Sequence, residues 1–145
     1  MNIKNFLTKE QEAAIVAAIV KAEKATSGEI RVHLESSCKE NVLDRAAYMF
    51  KKLDMHKTAL RNGVLFYLAV NDRKFAILGD AGINAKVPAD FWDAVKRSVL
   101  QHFSQQDFSG GLTEGILMTG EKLKTFFPIQ SDDTNELPNE ISFGV

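Results

Sequence analysis

The chain has 145 residues, 45% hydrophobic and 26% charged, which suits one compact domain with a core of ordinary size and leaves too little for a second. Eighteen Lys and Arg against nineteen Asp and Glu give a formal net charge of -1, with no basic stretch interleaved with aromatics, so a nucleic-acid partner is not expected. One cysteine, Cys38, excludes an internal disulfide, no apolar run reaches the roughly 20 residues of a membrane span, and MNIKNFLTKE lacks a signal-peptide core, so the expectation is a cytoplasmic protein without a membrane partner.

In chain order, Thr8 with Gln11 forms a capping-box pattern, and Ala14, Ile15, Ala18, Ile19 and Ala22 recur at helical spacing, predicting a helix over about Thr8 to Ala25. Thr26-Ser27-Gly28 breaks it. Glu29 to Glu35 alternates polar and apolar residues, the period of a strand with one wetter face. Val42 to Leu53 carries Leu43, Ala46, Ala47 and Phe50 on one helical stripe. Gly63 to Val70 is uncharged and rich in branched and aromatic residues, the pattern of a strand buried on both faces, so the first two strands and their helix form a parallel βαβ unit. Asn71-Asp72-Arg73 then turns the chain into a third, antiparallel strand over Lys74 to Leu78. Pro88 suits a helix start, with Phe91, Trp92, Val95 and Val99 forming a stripe that continues towards Phe103. Leu112 to Phe126 reads as a last helix, with Gly115 and Gly120 as weak points or as sites of close packing. The segment from 129 to 145 is acidic and polar, yet Ile141-Ser142-Phe143 alternates like a short edge strand, so the segment is expected to dock on the domain.

Gly79-Asp80-Ala81-Gly82 closes the third strand with a carboxylate between two glycines, suited to a hard cation or to capping a turn. With the first two strands parallel and the third antiparallel, Asp80 should approach Glu29 and Asn62, a set of oxygen donors from three segments. The plainer alternatives are that Asp80 caps a turn, Glu29 pairs with a lysine, Asn62 initiates a strand, and Arg61 makes a salt bridge. Asp132, Asp133, Asn135 and Glu136 concentrate further oxygen ligands without matching the EF-hand pattern. His33, His56 and His102 lack zinc spacing. Cys38 and Arg45 are one residue too far apart for a cysteine-phosphatase loop, and no nucleophile elbow or phosphate-binding glycine loop is present.

The ordered set AEKATSGEIRVHLESS, RNGVLFYLAVNDRKFAILGDAGI, FWDAV, FSGGLTEGI and KTFFP resembles the TPM domain family, and the closing DDTNELPNEISFGV resembles its stand-alone soluble bacterial branch. The resemblance implies a three-layer α/β/α sandwich around a small mixed four-stranded sheet, with residues 140–143 at the sheet edge. It also implies a divalent cation, calcium ahead of magnesium, at loops beside that sheet. The candidate ligands are Asp80, Glu29, Asn62, Asp132, Asp133, Asn135 and Glu136. A monomer whose loops are ordered by metal, with a regulatory role, is the leading expectation. A metal-dependent acid phosphatase, acting through a cation that polarises a phosphoryl oxygen or activates water, and a protein-interaction module are the alternatives.

Overall fold

The computed structural model describes residues 2–130 and 135–144. Helix α1 spans Lys9–Glu23, and its capping box is complete: Gln11 N–H donates to Thr8 Oγ1 at 3.1 Å while Thr8 N–H donates to Gln11 Oε1 at 2.9 Å. Strand β1 (Glu29–Glu35) leads through α2 (Val42–Lys52) to β2 (Gly63–Ala69), which turns into β3 (Lys74–Gly79). A single helical turn, α3 (Ala81–Asn84), precedes α4 (Asp93–Ser104) and α5 (Phe108–Leu123), and β4 (Ser142–Phe143) closes the described chain. The sheet order is β3-β2-β1-β4, with β1 parallel to β2 and β4 and β2 antiparallel to β3. The sheet and its covering helices form the expected α/β/α sandwich around a mixed four-stranded sheet.

Period-two alternation in the strands divides the interior into two cores. Ile30, Val32 and Leu34 of β1, with Val64, Phe66 and Leu68 of β2, face α1, α4 and α5. Leu65, Tyr67 and Ala69 face α2, where Ala46, Met49 and Phe50 cover them. The polar side of β1, expected to be wet, is covered: Glu29, His33 and Glu35 are all buried, leaving only Arg31 half-buried.

Three boundaries differ from the sequence pattern. Residues 88–92 make tight turns instead of opening α4, with Phe91 N–H bonded to Pro88 O and Asp93 N–H to Asp90 O. That path buries Phe91 edge-on to both Trp92 and Phe126. Helix α5 starts at Phe108, four residues before Leu112, because Asp107 caps it by accepting the Gly110 N–H at 3.0 Å. It ends at Leu123, whose carbonyl accepts from both Phe126 and Phe127 N–H as the last turn tightens. Asp80, expected either to bind a cation or to cap a turn, is the N-cap of α3.

Candidate functional site

Asp80 sits where the strand topology predicts, its N–H bonded to Gly63 O at 3.0 Å on the β2 edge. Its carboxylate, however, is committed locally. Arg61 donates Nε to Oδ2 at 2.7 Å and Nη2 to Oδ1 at 2.8 Å, and Ala81 N–H donates to Oδ1 at 2.7 Å. The bidentate pair neutralises Asp80, and Arg61 itself adopts a left-handed backbone with φ 50°.

The other described candidates gather at the start of β1. Glu29 N–H donates to Asn62 O at 3.1 Å, and Asn62 Nδ2 donates to Ser27 O at 3.0 Å. Asn62 is buried, and its Oδ1 has no hydrogen-bond partner among the described residues. Glu29 Oε1 accepts two amides, Glu136 N–H at 2.6 Å and Leu137 N–H at 2.7 Å. The C-terminal segment is thus docked on Glu29. The Glu136 side chain turns to the Ala59 N–H, at 3.2 Å from Oε2, while Asn135 reaches Asn139. Asp132 and Asp133 lie outside the described residues.

Between these parts lies a cavity of about 320 Å³ whose lining includes Glu23, Lys24, Ser27, Glu29, Gln130 and Asn135. Glu23 is the member that sequence reasoning missed. It stands in the last turn of α1, where an acidic residue opposes the helix dipole and so carries a cost that some other interaction must offset. That mismatch was the available signal. Its Oε2 accepts the Ile30 N–H at 2.9 Å, which brings it alongside β1. Burial pushes the Glu23 carboxyl up to about 7 against the help of the Ile30 amide, with Glu29 adding repulsion. Burial likewise pushes Glu29 up to about 7, opposed by the Leu137 and Glu136 amides and reinforced by the Glu136 charge. No Lys or Arg forms an ion pair with either carboxylate among the described residues.

The donor chemistry of this cavity fits a hard divalent cation: two carboxylates outside any ion pair among the described residues, the Ser27 hydroxyl, and amide side chains at 130 and 135, with Lys24 also on the lining. Three or more His, Cys, Asp or Glu side chains do not converge anywhere among the described residues, so the carboxylates alone do not complete a coordination sphere.

A mixed sheet of order β3-β2-β1-β4 between two helical layers, with a carboxylate-lined cavity at the start of β1, defines the class as a small α/β domain with an acidic loop cleft. The chain belongs to the TPM domain family, whose model matches residues 2–122. The NMR structure of the BA42 protein from the psychrophilic bacterium Bizionia argentinensis is similar over 99% of each chain, with 51% identity and a TM-score of 0.93. The N-terminal domains of cg2496 from Corynebacterium glutamicum and of a protein from P. gingivalis share the fold at 19% identity, with TM-scores of 0.66 and 0.68. The first alignment covers 81% of this chain and 74% of the relative, the second 83% and 78%. No functionally curated protein matches the chain. No helix among the described residues is long and apolar enough to cross a membrane.

Proposed function

We propose that this TPM domain is a divalent-cation-binding module, selective for oxygen-liganded ions such as calcium, and that Glu23 and Glu29 hold the ion. The observation that carries the reading is the pair of carboxylates on one cavity, each pushed by burial to about 7 and neither in an ion pair among the described residues. A cation would relieve the burial penalty on both. Calcium suits the site better than magnesium because it accepts irregular, larger oxygen sets, whereas magnesium demands a near-ideal octahedron. Ser27, Gln130 and Asn135 supply neutral oxygens on the same cavity. Asp80 is not part of this set, since Arg61 occupies its carboxylate.

The test is a calcium titration, repeated with magnesium, followed by amide chemical shifts. The expected result is saturable shifts centred on residues 23–30, 62 and 135–137, with Glu23→Gln and Glu29→Gln each weakening calcium by about tenfold or more. Saturable binding that both variants leave unchanged would move the site elsewhere, and an unresponsive spectrum at millimolar calcium would end the proposal.

A further inference from the structure

The polar residues of β1 serve as successive stations for the C-terminal segment. Glu29 accepts the Glu136 and Leu137 amides, Arg31 Nε lies 3.5 Å from Glu140 O, and His33 Nδ1 lies 2.9 Å from Ser142 Oγ. Gly144 N–H then donates to Leu34 O at 2.8 Å, while a Cβ at Gly144 would meet Glu35 Cγ at 2.6 Å. Glu35 cannot yield easily, because Arg45 holds both its oxygens, at 2.9 Å and 2.7 Å. Ile141 and Phe143 turn the other way and pack on the larger core. The chain therefore reads, station by station, an apolar residue, a small hydroxyl, an apolar residue and a glycine.

This occupant fills its place incompletely. Among the described residues β4 pairs with β1 only at His33 and Leu34, whereas β2 pairs with all seven residues of β1. Beside Ile141 and Phe143, against Ala13, Val16 and Ala17 of α1, a mostly apolar cavity of about 550 Å³, lined also by Glu12 and Glu140, stays open. An edge strand held by two pairings over an unfilled apolar trough is the arrangement that admits another extended chain.

We propose that the β1 edge is a docking groove for an extended segment of a partner polypeptide of the pattern apolar, Ser or Thr, apolar, Gly, added parallel to β1, and that residues 135–144 occupy it in cis as a displaceable strap. The strap shows the chemistry that the groove accepts, and the open cavity favours partners with larger apolar side chains at the positions of Ile141 and Phe143. The strap shares Glu29 and Asn135 with the cation reading, so its test is run in a chelator, where each can fail alone.

The probe is a fluorescent peptide, NELPNEISFG, titrated into the full chain and into its Gly144→Val variant, whose own strap is expelled by the clash with Glu35. A tethered strap competes at an effective concentration near millimolar, so the peptide is expected to bind the variant at least about tenfold more tightly than the unmodified chain. The same peptide with its glycine changed to valine is expected to lose that binding. Equal affinity for both chains, or binding to neither, overturns the proposal. A second measurement covers a misfolded variant: in the unmodified chain the Gly144 amide should exchange with deuterium at least about 100-fold faster than the amides of Val64 to Leu68. Exchange as slow as those means that the strap leaves only on global unfolding, which overturns displacement. A concentration-dependent dimer that the peptide dissolves would assign the groove to a second copy of this chain and overturn the partner assignment.

Discussion

At the scale of single residues, the sequence singles out Asp80 and passes over Glu23. Asp80 stands in a glycine-flanked loop and looks like a ligand, but it caps α3 and closes a bidentate pair with Arg61. Asp80→Ala is therefore expected to lower stability by about 1 kcal/mol through the lost cap alone, while calcium affinity stays within about twofold. Chemical denaturation and calcium titration of the same variant check both halves, and a large loss of affinity without loss of stability would restore Asp80 as a ligand. Glu23 was not legible because one-dimensional periodicity places it on a helix surface, where charged residues are ordinary. Only the close approach of the α1 end to β1, with the Ile30 amide on its carboxylate, gives it a partner and a cavity. Glu29 and Asn62 were legible because both flank parallel strands whose register is set by buried alternation.

At the scale of elements, helix packing turns on small residues that the pattern registered as weak points. Gly120 of α5 faces Ala22 of α1, where an added Cβ would lie 2.8 Å from the Ala22 Cβ and 2.9 Å from its Cα. Alanine would gain about 1 kcal/mol of helix propensity, yet the backbone contact cannot give way without parting the helices. Gly120→Ala is thus expected to destabilise by about 1–3 kcal/mol net, read from the denaturation midpoint at unchanged slope; a stabilised variant would show that the two helices separate freely. The α4 to α5 corner is held differently, by His102 between two carboxylates, with Nδ1 at 2.9 Å from Asp107 and Nε2 at 2.7 Å from Glu114. Hydrogen bonds donated to Asp107 and then to Glu114 raise the imidazole above its ordinary value. A raised histidine contributes its stabilisation fully below the unfolded value near 6.5 and loses it as pH rises through the folded value. His102→Gln should remove that part of the pH dependence and leave the fold intact, measured as the change in melting temperature between pH 6 and pH 8 on either chain. The strands and α1 were readable in advance because each has an unbroken period. The α4 and α5 starts were not, since tertiary burial of Phe91 and the side-chain cap of Asp107 set them.

At the scale of the whole molecule, the sheet separates a larger apolar core from a smaller one under α2, and the buried polar residues of β1 lie on the α2 side. There, Glu35 ionises below the usual carboxylate range: burial, the largest effect, opposes this, but the Arg45 hydrogen bonds, the Tyr67 hydroxyl and the neighbouring His33 and Arg45 charges together outweigh it. His33 is driven by burial down to about 4, so it stays neutral near pH 7. Glu23 and Glu29 move in the opposite direction to Glu35, from 4.5 to about 7, and they set the expected pH response. The folded chain keeps protons on these carboxyls that the unfolded chain has already released, so the unfolded state binds fewer protons between those two values. Stability contributed by the pair is accordingly highest below pH 4.5 and declines as pH rises through 7, where it levels off. Without added metal, the melting temperature is expected to fall by several degrees across that interval, beyond any part removed by His102→Gln. The Glu23→Gln and Glu29→Gln double variant should flatten the decline, because amides do not titrate. Calcium, if it binds where proposed, competes with the same protons, so its stabilising effect should be small near pH 5 and largest above pH 7. A thermal scan of both chains at pH 5, 6, 7 and 8, with chelator and with calcium, separates the two effects. An equal slope in the parent and double variant would refute the carboxylate origin, and a calcium effect that ignores pH would place the ion away from these two side chains.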